Sequence, residues 1–284
     1  LMKVLIFGAG VLGKRYCNEF LKISEENEVV CFIDNDKNKH GTILEGIPVM
    51  GPETIKDLCF DKVVIANAFA NEVRCQLEEI LGDDKSKIEV LPVPHVQARV
   101  NWLKDYANLI YNRNIQGNIA EAGVFRGDFA AVLNQHFPDR ILYLFDTFEG
   151  FPVTDVEIDN QRERSVAERG HYSATSEELV MSKMSHPEKC VIRKGYFPET
   201  GKGIKDRFCF VNLDLDLYQP TLEGLKFFWD KMVPESIILI HDFFAQDYPN
   251  VKTAVYDFEK YIGKPLMMIP IGDSLSIAIA ANIK

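Results

Sequence analysis

Residues 118–127 read NIAEAGVFRG, an apolar run of strand character that ends beside an acid, Glu121, and breaks at two glycines, Gly123 and Gly127. Glycines there let the backbone turn tightly and approach a ligand, and a helix that starts behind them points its N-terminal N–H groups at it. The stretch therefore opens a strand, loop and helix unit. Outward from it the unit recurs in RILYLFD at 140–146, CVIRKG at 190–195, FCFVNLD at 208–214 and SIILIHD at 236–242. Helices are expected from about 127, 176, 220 and 251. The strands are too continuously apolar to be half exposed, which predicts a mostly parallel sheet covered on both faces. PLMMIP and SLSIAIAA follow as a hairpin and bring in one antiparallel strand, seven strands in all.

A second α/β pattern precedes residue 95: KVLIF at 3–7, EVVCFID at 28–34, DKVVIANA at 61–68 and IEVLPV at 88–93. After the first strand, Gly8, Gly10 and Gly13 stand in GxGxxG spacing, and Asp34 ends the next strand where a ribose-binding acid sits in dinucleotide folds. These four residues are a candidate nucleotide site. Two Rossmann-like domains are expected, over 1–94 and 117–284, joined by a helix over 95–116. On that helix Val96, Val100, Leu103, Ala107 and Ile110 mark an apolar face that packs on a domain or on a second copy of the chain. In the latter case the chain would be a homodimer.

The chain has 284 residues, 46% of them hydrophobic, and a net charge of −10. That charge argues against nucleic acid or an anionic membrane surface as main partner, since both reward clustered Lys and Arg. No apolar run approaches the roughly 20 residues of a membrane span. The start, without a basic-then-apolar leader, predicts a cytoplasmic protein. Six scattered cysteines with no CxxC pair read as reduced core residues.

Several strands of the second pattern end in an acid, and the carboxyl ends of parallel strands are where ligands bind in open α/β sheets. The ordered set EAGVFRGDFA, FDTFEGFP, KGYFPET, NLDLDLYQPT and IHDFF resembles the macrocin O-methyltransferase family, the TylF-like sugar methyltransferases, over roughly residues 115–262. The resemblance implies a class I S-adenosylmethionine-dependent methyltransferase fold. It places Glu121, Gly123, Val124 and Gly127 at the amino-acid part of the cofactor, Asp146 and Thr147 at its ribose, and Gly195 and Tyr196 near its adenine. It also implies a divalent metal, Mg²⁺ or Mn²⁺, on Asp214 and Asp242, with His241 where an aspartate is usual. Imidazole suits Mn²⁺ better than Mg²⁺, so His241 is either a ligand or a substrate-orienting group. Asp214, His241 and Asp242 are the candidates for proton acceptor, and Asp216, before Pro220, reads as a structural acid at a helix N-terminus.

Residues 2–92, with FIDNDKNKHGTILEGIPVMGPE, resemble the N-terminal domain of bacterial polysaccharide-biosynthesis proteins, which holds a nucleotide or nucleotide sugar or serves as a docking module. The expected acceptor is therefore a sugar or nucleotide sugar of surface-polysaccharide assembly. Between Asp146 and residue 176 a polar stretch is expected to be a long lid or binding loop, with Arg162, Arg164, Arg169 and His171 facing an anionic substrate. Two other readings stand beside this one. An NAD-dependent oxidoreductase or epimerase would use the N-terminal glycines, but residues 35–95 offer no Tyr and Lys pair at helical spacing for hydride transfer. A catalytically inactive binding module would have little reason to keep Glu121, Asp146, Asp214 and Asp242.

Overall fold

A computed structural model describes residues 2–24, 26–67, 70–91, 94–163 and 165–281, so Arg164 lies outside the described residues. Two compact units emerge, Leu1–Pro94 and His95–Lys284.

The first unit runs β1 (Lys3–Phe7), α1 (Val11–Ile23), β2 (Glu28–Ile33), β3 (Ile43–Leu44), β4 (Ile47–Met50), β5 (Lys62–Ile65), α2 (Ala70–Leu81) and β6 (Ile88–Val90). Its sheet has the order β3-β4-β2-β1-β5-β6, and all pairs are parallel except β3 with β4. That small hairpin is not among the strands expected above. It turns on Glu45 and Gly46, both left-handed with φ 52° and 79°, the two-residue turn that matches strand twist. Gly8 and Gly13 are fixed by packing: a Cβ would lie 2.6 Å from the Ala66 carbonyl oxygen in the first case and 1.9 Å from that of Gly8 in the second.

The second unit contains α3 (Pro94–Asn112), β7 (Asn118–Ala122), α4 (Asp128–His136), β8 (Leu142–Asp146), α5 (Val153–Arg162), α6 (Glu177–Ser182), β9 (Cys190–Lys194), β10 (Phe208–Leu213), α7 (Tyr218–Trp229), β11 (Met232–Ile240), α8 (Asn250–Ile262), β12 (Met267–Pro270) and β13 (Ile277–Ala281). Its seven strands lie in the order β12-β13-β11-β10-β7-β8-β9, and only β13 runs antiparallel to its neighbours. This is the class I methyltransferase arrangement. The chain leaves β7 toward β8 and returns to β10 on its other side, so the crevice above β7 and β10 is the topological switch point. β10 is buried along its whole length, and Phe210 meets Phe137, Trp102 and Tyr106 on one sheet face while Phe208 meets Phe228 on the other.

Of the two packings expected for α3 the first is found, and one expectation, the long loop, changes. The apolar face of α3 is used inside its own unit: Leu103, Tyr106, Ala107 and Ile110 join the core under β7 and β10, while Val96 is exposed. The helix belongs to the second unit, whose core covers the Leu103, Ala107 and Ile110 part of that face. The polar stretch after Asp146 is not one loop, for α5 forms within it and packs on α7. Buried Asp159 accepts from the backbone N–H of Tyr218 at 2.9 Å and from the Asn250 amide at 3.0 Å, which caps α7 from outside. Cys59 and Cys75 are exposed, unlike the other cysteines. No helix among the described residues is long and apolar enough to cross a membrane.

Candidate active site

The parallel sheet delivers the strand ends of the second unit to one edge. β7 and β10 leave it in contact: the Asp214 N–H donates to the Ala122 carbonyl at 2.8 Å, and Gly123, with φ 84°, has no room for a Cβ because one would stand 1.7 Å from the Asp214 carbonyl oxygen. The glycine loop and the first acid of LDLDLY are thus a single construction.

The loop is closed by Asp146. One carboxylate oxygen accepts from the N–H groups of Val124 and Phe125, each at 2.8 Å, and the other from Phe148 at 2.7 Å. Gly127, left-handed at φ 78°, starts α4. Glu121 is buried beside Asn212, whose amide donates to one carboxyl oxygen at 2.8 Å; the other oxygen has no partner. Burial first, and Asp214 next, push the Glu121 carboxyl up to about 8. Beyond Asp146 a cavity of about 610 Å³ is lined by Thr147, Phe151, Thr154, Lys194, Gly195 and Tyr196. The Tyr196 hydroxyl donates to Asp155 at 3.0 Å.

At the ends of β10 and β11 an acid cluster forms. Asp214, His241 and Asp242 each bring a donor atom within 4.8 Å of the others. His241 Nδ1 lies 3.0 Å from Asp214 and 2.8 Å from Asp242. Arg99 Nη1 reaches the second oxygen of Asp214 at 3.2 Å, and its guanidinium stacks 4.1 Å above the Phe129 ring. Burial favours a neutral Asp214, but His241 and Arg99 outweigh it and hold the carboxyl at about 2. Burial disfavours the imidazolium as well; Asp214 overcomes this and lifts His241 to about 9. Asp216 has φ 58° and joins the cluster: burial, then Asp242 and Asp214, push its carboxyl well above the usual range. It is therefore not the structural acid expected from its place before Pro220, a task that Asp159 performs for α7.

Arg99 and His95 are not among the residues that the sequence singles out. Burial, then His241 and Arg99, push His95 down, which places it among the same groups. The two are four residues apart on α3, and only that spacing hints at a shared face. Arg162 serves elsewhere, over the Tyr218 ring at 3.4 Å; Arg169 lines the cavity; His171 is 3.6 Å from Glu168. In the first unit Asp34 is occupied. It accepts from Ala9 N–H at 2.9 Å and from Lys39 at 3.0 Å, and so locks Gly8 and Gly10 to β2. The Cβ side of Gly10 is open.

The donor set fits a divalent cation. Two carboxylates and an imidazole converge with a third carboxylate beside them, and a cation would replace the proton that His241 holds between Asp214 and Asp242. Without metal, the linkage has a definite sign. His241 at about 9 lies above its ordinary 6.5, so its stabilisation is complete below pH 6.5 and is lost as pH rises through 9; Asp214 at about 2 stabilises above 3.8 and fails as pH falls through 2. In chelator, His241→Gln should melt a few degrees below the wild type at pH 6, with the gap closing by about pH 10. A gap that does not depend on pH would exclude the ion pair as its source.

A protein-family model described as macrocin-O-methyltransferase (TylF) matches residues 80–273, and one described as C2185-like, N-terminal, matches residues 1–89 in place of the polysaccharide-biosynthesis domain expected there. The chain is 26% identical over 234 residues to the 8-demethyl-8-(2,3-dimethoxy-alpha-L-rhamnosyl)-tetracenomycin-C 4'-O-methyltransferase of Streptomyces olivaceus, covering 74% of this chain and 88% of that protein. Its fold is similar to that of the O-methyltransferase NovP, with a TM-score of 0.56, 19% identity and coverage of 66% of this chain and 80% of that one. The calicheamicin methyltransferase CalS11 gives a TM-score of 0.52 at 20% identity, covering 76% of this chain and 94% of the other.

Proposed function

Because the chain belongs to the macrocin-O-methyltransferase family, we propose that it transfers a methyl group from S-adenosylmethionine to a hydroxyl of a sugar or nucleotide sugar, with a divalent metal at Asp214, Asp242 and His241. The observation that carries this reading is the direct junction of the glycine loop with the acid cluster through Gly123 and Asp214. A donor held by the first lies beside an acceptor held by the second. The sugar is favoured by the relative from Streptomyces olivaceus, whose substrate carries a rhamnosyl group. A setting in surface-polysaccharide assembly rests on the sequence resemblance of residues 2–92 alone.

S-adenosylmethionine supplies the methyl group, and the metal, when bound, lowers the pKa of the acceptor hydroxyl. The chain's own residues do the rest. The unpartnered oxygen of Glu121 and the backbone of Gly123, Val124 and Gly127 face the amino-acid part of the cofactor. Asp146 and Thr147 hold its ribose, and Gly195 and Tyr196 the adenine side of the cavity. Asp214, Asp242 and His241 would hold that metal at the ends of β10 and β11, beside the glycine loop. A carboxylate of the cluster, drawn from Asp214, Asp216 and Asp242, takes the proton the hydroxyl loses.

The test is methyl transfer from labelled S-adenosylmethionine to a set of nucleotide sugars, with and without chelator. Transfer that chelation abolishes and Mn²⁺ restores is the expected result. Transfer indifferent to chelation would remove the metal, and transfer to no sugar would remove the acceptor class.

A further inference from the structure

A group of aromatic side chains adjoins the glycine loop, and of its members only Phe151 lines the cavity assigned to the cofactor. Phe125 in the loop and Tyr172 in the segment after α5 both hold left-handed backbones, φ 48° and 62°. Such conformations cost non-glycine residues energy and concentrate at functional sites. The Tyr172 ring stands edge-on to Phe125 at 5.0 Å and to Phe151 at 5.3 Å, and Phe151 in turn meets Tyr248 at 6.3 Å. The hydroxyls of Tyr172 and Tyr248 are 3.1 Å apart. Tyr248 packs in the same core cluster as Phe243, the residue that follows Asp242, so the pair adjoins the acid cluster.

The segment that carries Tyr172 is fastened rather than loose. Val166 N–H donates to Asp247 at 3.1 Å, Gly170 N–H to Phe151 at 3.2 Å, Phe151 N–H to His171 at 3.1 Å, and the Thr175 hydroxyl to the Phe125 carbonyl. Tyr172 keeps 40% of its surface exposed, whereas Tyr248 keeps 7%. One hydroxyl of the pair donates to the other, which leaves a single O–H for an outside partner. Aromatic faces receive the C–H face of a saturated ring, and phenolic hydroxyls bond to its polar substituents.

We propose that Tyr172 and Tyr248, backed by Phe151 and Phe125, form the wall that binds the acceptor ring and sets acceptor specificity. The assignment rests on the sugar O-methyltransferase reading and names the residues that would hold the sugar. The adenosine end of the cofactor is left to the residues beyond Asp146, on the cavity side of Phe151.

The experiment compares wild type, Tyr172→Phe, Tyr248→Phe and Tyr172→Ala. Three probe acceptors are used, TDP-rhamnose, UDP-glucose and catechol, together with calorimetric titration of S-adenosylhomocysteine. Each Phe variant should raise KM for the acceptor about tenfold, the scale of one buried hydrogen bond, with kcat changing less than about threefold. Tyr172→Ala, which also removes the ring, should raise it further, and S-adenosylhomocysteine affinity should stay within about twofold. Unchanged KM in the Phe variants, or cofactor affinity that falls in step with KM, would overturn the wall. Transfer to catechol alone would remove the sugar reading while the catechol KM still decides the wall. Transfer to none of the three would overturn both.

Discussion

Asp214→Asn is expected to cut methyl transfer about a thousandfold, the scale of removing one preorganised group from a reacting centre, while S-adenosylhomocysteine still binds within about twofold of wild type. The prediction follows from what each atom of Asp214 does. Its N–H holds Ala122 beside the glycine loop, and an asparagine keeps that bond. Its two carboxylate oxygens meet His241 and Arg99, and an amide can accept from only one of these cations and neutralises neither. An amide oxygen is also a weaker ligand for a hard cation than a carboxylate. The variant should therefore separate cofactor binding from chemistry. Initial rates at saturating Mn²⁺ and a titration of S-adenosylhomocysteine give both quantities. Rates within tenfold of wild type would remove Asp214 from the chemistry, and lost cofactor binding would make it a part of the glycine loop instead.

The acids of the cluster are legible in the sequence because parallel strands end at one sheet edge. Once FCFVNLD and SIILIHD are read as parallel neighbours, Asp214 and Asp242 have to converge, whatever lies between them in sequence. The parallel sheet follows from the same restarts of the α/β alternation, with the terminal hairpin adding β13 between β11 and β12.

What is not legible has physical reasons. α5 reads as loop because its inward face carries Asp155 and Asp159, two carboxylates one helical turn apart, and hydrophobic periodicity assigns such residues to solvent. They are buried because a helix N-terminus and a tyrosine hydroxyl need them, demands that exist only after α7 and Tyr196 are in place. Arg99 is a similar case: its partner is 115 residues away, and nothing local separates it from any polar residue on an amphipathic helix. The sequence points to a metal as the positive partner that Asp214 requires, whereas the chain already supplies a guanidinium and an imidazolium. For Asp216 the turn chemistry around Pro220 suits a cap, but a left-handed backbone turns the residue toward Asp242 instead.

Gly123→Ala tests the junction that ties these parts together, and it has a matched control. Gly203 has the same φ of 84° but open space where a Cβ would stand, with nothing within 4 Å, so Gly203→Ala should cost only the left-handed penalty, about 1–2 kcal/mol. At Gly123 the new methyl would stand 1.7 Å from the Asp214 carbonyl oxygen, a backbone atom that cannot rotate away. The strand ends must then part, at an added cost of about 3 kcal/mol. The bonds at risk are Asp214 N–H to Ala122 at 2.8 Å, which seats the glycine loop against the acid cluster, and Gly123 N–H to Phe145 at 2.9 Å, which ties it to β8. Cofactor affinity and methyl transfer should therefore fall together in Gly123→Ala, whereas Asp214→Asn loses only the second. Thermal melts and S-adenosylhomocysteine titrations of both glycine variants measure this. Equal losses in stability would show that backbone handedness, and not the close approach of β7 to β10, is what demands glycine at 123.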